Sequence, residues 1–128
     1  MQYQKPTNDD KVFVLSLPLN EIHELGLMYV HYEILFYGYK AIYLGESVPV
    51  DNLKDVKKHF QNIVFLSYFT VQPEVDNVNE YVQNMMNELL DDKTELWFLG
   101  RNATHIDDDL KTENVKVFSS IGNLLDYI

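Results

Sequence analysis

A glutamate, a histidine and a glycine lie close together at Glu21, His23 and Gly26, just after an apolar run. A histidine can bind a metal through one ring nitrogen while the other nitrogen donates a hydrogen bond to a carboxylate. Glu21 is spaced to accept that bond and to set the tautomer and basicity of His23. Glycine early in a helix lowers helix stability, so Gly26 indicates that something bulky passes close to the backbone.

Two further polar segments follow later apolar runs. Ser67 stands at the end of one run and Gly100 at the end of another, with Arg101 next to it. Ser67 offers a hydroxyl to a polar ligand group, and Gly100 leaves room beside it. Each residue also has a structural interpretation, because a lone histidine often caps a helix, Ser67 can satisfy a backbone group, and Gly100 can be a turn glycine.

Other metal chemistry is disfavoured by spacing and composition. His31, His59 and His105 have no metal-ligand spacing with His23. The segment His23 to Leu27 begins like a zinc-peptidase helix, but Leu27 stands where the second histidine would be. The chain has no cysteine, which excludes disulfides, thiol catalysis and cysteine-bound zinc.

The elements that must position these residues are predicted from the apolar pattern. Mostly continuous apolar runs alternate with helical patterns, which is typical of parallel strands buried on both faces. The five predicted strands are Val12 to Leu17, Lys40 to Leu44, Asn62 to Ser67, Glu95 to Leu99 and Val115 to Phe118.

Helices are predicted between the strands. The first ends at Gly38, the second starts at Pro49, the third opens at Pro73, and the last covers Ile121 to Tyr127. The polar link from Arg101 to Asn114 predicts only a short or irregular helix. The side chains expected to pack in the core are Leu25, Met28, Tyr29, Tyr32, Leu35 and Phe36 of the first helix, Leu53, Val56 and Phe60 of the second, and Val75, Val78, Val82, Met85, Met86 and Leu89 of the third.

Five parallel strands with right-handed crossovers predict an α/β fold of the flavodoxin-like type. The expected sheet is doubly wound, in the order 2-1-3-4-5, between two helical layers. Ligands of such sheets bind beyond the carboxyl ends of the strands, at the switch point between strands one and three. The segments that hold Glu21 and His23, Ser67, and Gly100 are therefore expected to meet at one crevice.

These three segments resemble the signature of a known family. Glu21-x-His23-x-x-Gly26, Ser67-x-Phe69 and Gly100-Arg101 are similar to the motifs of the cobalamin-binding domain of methionine synthase, cobalamin-dependent mutases and light-sensing MerR-type transcriptional regulators. The similarity covers nearly the whole chain. Enzymes of the family usually have aspartate at the position of Glu21, whereas the light-sensing regulators often have glutamate, which favours a regulator.

The resemblance implies that His23 is the lower axial ligand of cobalt, replacing the cofactor's own dimethylbenzimidazole. The displaced nucleotide tail would enter a slot touched by Ser67 and flanked by Gly100. Arg101 replaces a second glycine of the family, so its side chain must turn outwards, reach a phosphate of the tail or obstruct the slot. Phe69 replaces a leucine, which is a mild change in an apolar position.

Length and charge limit the remaining possibilities. We expect a flexible segment over residues 1–10 and one cobalamin-binding domain over residues 11–128 of the 128-residue chain. The formal net charge of −10 argues against binding of nucleic acid by this segment. No apolar run approaches the ~20 residues of a membrane helix. A cytoplasmic location is therefore expected.

The function expected from the resemblance is that of a sensory domain, and not of an enzyme. It would bind adenosylcobalamin or methylcobalamin, act with helical and DNA-binding domains upstream in the full-length protein, and form homo-oligomers. Two alternatives remain open at this point. One is a corrinoid-carrier module of a methyltransferase or mutase, and the other is a degenerate interaction module that has lost the ligand.

Overall fold

The computed structural model describes residues 11–128, which form a five-stranded parallel sheet between two layers of helices. The expected flexible segment over residues 1–10 lies outside the described residues. The strands are β1 (Val12–Ser16), β2 (Lys40–Gly45), β3 (Ile63–Tyr68), β4 (Thr94–Leu99) and β5 (Val115–Val117). The helices are α1 (Leu25–Phe36), α2 (Val50–Lys57), α3 (Val78–Leu89) and α4 (Ile121–Tyr127).

The strand order is β2-β1-β3-β4-β5, with every pair parallel. The predicted flavodoxin-like topology is therefore confirmed. β1 lies between β2 and β3, and Ser16 at its carboxyl end is in register with both Gly45 and Ser67. Because β2 and β3 lie on opposite sides of β1, the switch point of the sheet is at the carboxyl end of β1.

Alternate residues of the strands face two separate cores, as the period of a strand requires. Phe65 and Phe98 pack with α2 and α3 on one side, while Leu66 and Trp97 pack with α1 and α4 on the other. All five residues of β1 are buried. The continuous apolar runs in the sequence are therefore strands covered on both faces.

The predicted helices are present, but α3 begins at Val78 and not at Pro73. Three further differences concern packing. Phe60 lies beyond the end of α2 and is 40% exposed, and Val75 lies in a short 3-10 turn before α3 and is 46% exposed. The third difference is larger. The apolar side chains predicted to be the core face of α1 are all exposed, and that helix packs on the sheet through Leu27, Val30 and Ile34 instead.

The link after β4 is irregular, as its polar sequence predicted. It contains short 3-10 helices at Arg101–His105 and Asp108–Leu110, and Ile106 between them is buried. None of the helices over residues 11–128 is long and apolar enough to cross a membrane.

Candidate functional site

The loops after β1, β3 and β4 meet at the carboxyl edge of the sheet. The Phe69 N–H donates to the Leu99 carbonyl at 2.7 Å, and the Asn102 N–H donates to the Phe69 carbonyl at 2.9 Å. The carboxylate of Glu21, in the loop after β1, accepts hydrogen bonds from the loop after β3. Backbone and side-chain hydrogen bonds therefore join all three predicted segments.

Glu21 is the buried centre of this junction, with 1% of its surface exposed. Its Oε1 accepts the N–H of Val71 at 2.6 Å and the N–H of Gln72 at 2.8 Å. Its Oε2 accepts the backbone N–H groups of Ile22 and His23, each at 3.0 Å. Burial alone would raise the pKa of Glu21, but the hydrogen bonds outweigh it and lower the pKa to about 2. Glu21 is therefore an ionised acceptor at neutral pH.

The ring of His23 is the fifth partner of Glu21. Its Nδ1 lies 2.6 Å from Oε2, while 57% of the side chain remains exposed. Because an ionised carboxylate only accepts, Nδ1 must carry the proton. Within residues 11–128, no hydrogen bond holds Nε2, so a neutral His23 presents an unprotonated nitrogen at the surface. That is the form of imidazole that binds a metal ion.

The loop that carries His23 is fixed by several contacts. The N–H of Asn20 donates to the Ser47 hydroxyl at 3.1 Å, and the Tyr43 hydroxyl donates to Glu24 Oε1 at 2.7 Å. Burial, followed by the bond to Glu24, raises the pKa of Tyr43, so this phenol stays a donor. The loop is therefore bound to the end of β2 on one side of His23 and to the loop after β3 on the other.

Gly26 has a bulky neighbour, as its position in the helix predicted, and that neighbour is Tyr68. A Cβ atom on Gly26 would lie 2.6 Å from Cζ of Tyr68, so the aromatic ring rests on the backbone of α1. Tyr68 lies at the end of β3 and is partly buried. The space beside the first turn of α1 therefore holds a protein side chain in this structure.

Gly100 is required by the backbone around it. Its φ is +103°, and a Cβ atom there would lie 2.3 Å from the carbonyl oxygen of Phe69. Phe69 itself is fully buried and packs on Phe98, with ring centroids 5.0 Å apart. Ser67 is also buried. These three residues lie at the predicted edge, but Phe69 belongs to the hydrophobic core and Gly100 is approached by protein backbone.

Arg101 is exposed and begins the 3-10 helix after Gly100. It lines an open groove together with Val71, Glu74 and His105. Its exposure shows that the side chain faces solvent.

Several site residues have no obvious signal in the sequence. The N–H groups of Val71 and Gln72 follow β3 by only a few residues, but nothing in their side chains indicates that they hold Glu21. Asn102 is buried and donates from its amide nitrogen to the carbonyls of Val71 and Pro73 at 3.0 and 3.1 Å. In the sequence, the one available sign was an asparagine just after a predicted strand.

An apolar collar, formed by Leu19, Ile22 and Val71, belongs to the two loops around His23. Leu19 and Ile22 flank the Glu21–His23 segment and are 49% and 65% exposed. Val71, whose N–H binds Glu21, is 41% exposed. Exposed apolar side chains on loops that also carry a polar group are typical of a surface that receives an apolar ligand.

No cluster of three or more metal-ligating side chains occurs within residues 11–128. A metal bound at His23 would thus have fewer than three such protein ligands and would need the rest of its coordination from another group. A cleft at the opposite edge of the sheet is lined by Lys11, Asn62 and Lys93. It lies at the amino ends of the strands, which is not where ligands of open α/β sheets bind.

The comparisons with known proteins identify the fold. The chain is similar to a cobalamin-binding protein of Desulfitobacterium hafniense, with TM-score 0.69, 15% identity and 93% of this chain covered. It is also similar to the monomethylamine corrinoid protein of Methanosarcina barkeri, with TM-score 0.72, 14% identity and 94% covered. This chain spans 57% of each of those chains. No family model and no curated protein matches the sequence.

Proposed function

We propose that this chain is a cobalamin-binding module in which His23 is the lower axial ligand of cobalt. The observation that carries the proposal is the pairing of Nδ1 with the buried, ionised Glu21, which orients an exposed imidazole whose Nε2 has no hydrogen-bond partner within residues 11–128. The site lies at the switch point between β1 and β3, where ligands of this fold bind. Two proteins of the same fold are described as cobalamin-binding and corrinoid proteins.

The residues around His23 fit a corrinoid. The collar of Leu19, Ile22 and Val71 offers apolar surface to the face of a flat macrocycle. A corrin ring supplies four nitrogen ligands of its own, so a single protein ligand suffices. When bound, the cofactor supplies a reactive cobalt–carbon bond, and the chain supplies the imidazole and the carboxylate that fixes it.

We place the nucleotide tail between the end of β3 and the first turn of α1, near Gly26, Ser67 and Gly100. Tyr68 rests on Gly26 in this structure. Its ring must therefore leave the backbone of α1 before a tail can lie there. Arg101, which points outwards, is available to a phosphate of the tail.

The proposed role is sensory, as part of a MerR-type regulator that responds to the state of the cofactor. Glutamate at position 21 supports this role, because in the resembling family the light-sensing regulators often have glutamate there. The second candidate is a corrinoid carrier for a methyltransferase, and the similarity to the Methanosarcina corrinoid protein favours it. Neither role makes the module catalytic by itself.

The proposal is tested by titrating the chain with methylcobalamin in the dark and recording the visible spectrum. The wild type is expected to bind saturably and to keep the spectrum of cobalt with an axial nitrogen, because the imidazole of His23 replaces the nitrogen of the cofactor's base. His23→Ala should lose binding or bind with the spectrum of cobalt without an axial base, and His105→Ala, at an exposed histidine in the loop after β4, should behave like the wild type. Absence of binding by the wild type would favour the degenerate interaction module.

A second measurement separates the two roles. The loaded protein is illuminated, and its mass is compared before and after by light scattering. A change in mass supports the sensor. Loss of the methyl group to a thiol acceptor in the dark, at constant mass, supports the carrier.

A further inference from the structure

Helix α1 has two apolar faces, and only one of them is covered. Leu27, Val30 and Ile34 face the sheet and are fully buried. The outer face lies on the opposite side, because successive residues turn by about 100° in a helix. It consists of Leu25, Met28, Tyr29, Tyr32, Leu35 and Phe36, with exposed fractions of 84, 52, 53, 64, 48 and 56%. A helix that is apolar all round is normally buried all round.

The outer face of α3 shows that this pattern is particular to α1. Both helices have 12 residues and both pack on the same sheet. The exposed residues of α3 are all polar, namely Glu80, Gln83, Asn84, Asn87 and Glu88. The sequence therefore makes a solvated outer face on one helix and an apolar one on the other.

The spacing of the outer face is that of a helix-pairing seam. The six residues fall at i, i+3, i+4, i+7, i+10 and i+11, which repeats an a, d, e pattern over two heptads. Tyrosine, phenylalanine and methionine are the residue types enriched at interface cores, where charged residues are depleted. Glu33, at the edge of the face, is the one charged residue of α1.

The available area matches a small dimer. If the six side chains lost the surface that they expose, each copy would bury on the order of 700 Å². Two copies would bury roughly 1,400 Å², within the ~1,200–2,000 Å² of specific interfaces. The chain has a formal net charge of −10, so an interface made by a face without charge avoids close contacts between like charges.

We propose that the outer face of α1 binds the same face of a second copy of this chain, as an antiparallel helix pair with twofold symmetry. Leu25 and Met28 of one copy then meet Leu35 and Phe36 of the other, and the tyrosines lie near the axis. The proposal does not depend on cobalamin, because it rests only on this face and its charge.

The test is the mass of the 128-residue chain, measured by sedimentation equilibrium over a wide range of concentration. The wild type is expected to be a dimer that dissociates on dilution. Tyr32→Glu and Tyr32→Arg should both be monomers, because a charge of either sign is buried without a partner at the twofold axis. If overall charge repulsion alone controlled assembly, Tyr32→Glu would shift the monomer–dimer equilibrium towards the monomer and Tyr32→Arg would shift it towards the dimer.

The matched control is Val75→Glu, which places the same charge at an exposed apolar residue away from α1. It should dimerise like the wild type, and circular dichroism should show that all variants keep the fold. A wild-type chain that stays monomeric would overturn the proposal. Binding of that monomer to phosphatidylcholine vesicles would show that the outer face of α1 contacts lipid and not a second copy. A dimer that both Tyr32 variants preserve would overturn it equally.

Discussion

Glu21 Oε2 lies 2.6 Å from His23 Nδ1, and the same carboxylate holds two N–H groups of the loop after β3 through Oε1. One buried group therefore orients the exposed imidazole and also fixes the neighbouring loop. The spacing in the sequence predicted only the hydrogen bond between Glu21 and His23, whereas the structure shows that Glu21 also holds the loop after β3.

The first prediction concerns the pH dependence of stability. The pKa of Glu21 falls from 4.5 to about 2 on folding, so the ionised form stabilises the fold. This stabilisation is complete above the ordinary pKa and is lost as the pH falls from about 4.5 towards 2. The shift corresponds to about 3 kcal/mol of unfolding free energy.

Urea unfolding of the wild type and of Glu21→Gln measures this contribution. Glu21→Gln should lower the unfolding free energy by about 2–3 kcal/mol at neutral pH, and its stability should fall less steeply on acidification. Glu80→Gln, at an exposed position of α3, is the control and should follow the wild type. Equal acid dependence of Glu21→Gln and wild type would show that Glu21 is not the group responsible.

The second prediction concerns Asn102. Its side chain donates to the carbonyls of Val71 and Pro73, so Asn102→Ala leaves two carbonyls without those donors. The expected cost is about 1–3 kcal/mol of unfolding free energy, with faster hydrogen exchange at the Val71 and Gln72 amides. Thr104→Ala, which removes a hydroxyl from the same 3-10 helix, should leave that exchange unchanged. Unchanged exchange in Asn102→Ala would mean that Glu21 alone holds the loop.

The third prediction compares three glycines. Gly100→Ala places a Cβ atom against the backbone of Phe69 at a φ of +103°, so it should cost roughly 2–4 kcal/mol. Gly26→Ala meets only the ring of Tyr68, which can shift, so its cost should be smaller. Gly122→Ala, in an open position of α4, should stabilise the chain by up to about 1 kcal/mol. Thermal unfolding should rank the variants by stability in the order Gly122→Ala, Gly26→Ala, Gly100→Ala, from most to least stable. Any other order would contradict the packing described at Gly26 and Gly100.

The fourth prediction concerns Tyr68 and the nucleotide tail. Tyr68→Ala removes the ring from Gly26, so it should strengthen binding of cobalamin. Binding of cobinamide, which lacks the tail, should change much less. Tyr68→Phe keeps the ring and should behave like the wild type. An equal gain for both corrinoids, or a gain in Tyr68→Phe, would show that the ring does not occupy the path of the tail.

The sequence predicted the strands and the edge where the site lies, because buried parallel strands read as continuous apolar runs. It failed at α1 for a related reason. Tyr32 and Phe36 have the spacing of a core face, but so do Leu27, Val30 and Ile34, and a helix with two apolar faces gives no sign of which one meets the sheet.

The site was predicted in part. Residues close in the chain, such as Glu21 and His23, reveal their pairing through spacing alone. The N–H groups of Val71 and Gln72 lie 50 and 51 residues from Glu21, and a backbone donor has no residue type that could indicate it. The contact of Tyr68 with Gly26 was predicted only in part, since the glycine indicated a bulky neighbour but not that this neighbour is Tyr68.

The most direct test of the central claim is the electron paramagnetic resonance spectrum of cob(II)alamin bound to chain uniformly labelled with ¹⁵N. Ligation by His23 predicts that each cobalt line is split into a doublet by ¹⁵N, and that the doublet is absent in His23→Ala. A triplet, from the ¹⁴N of the cofactor's own base, would contradict ligation by the protein.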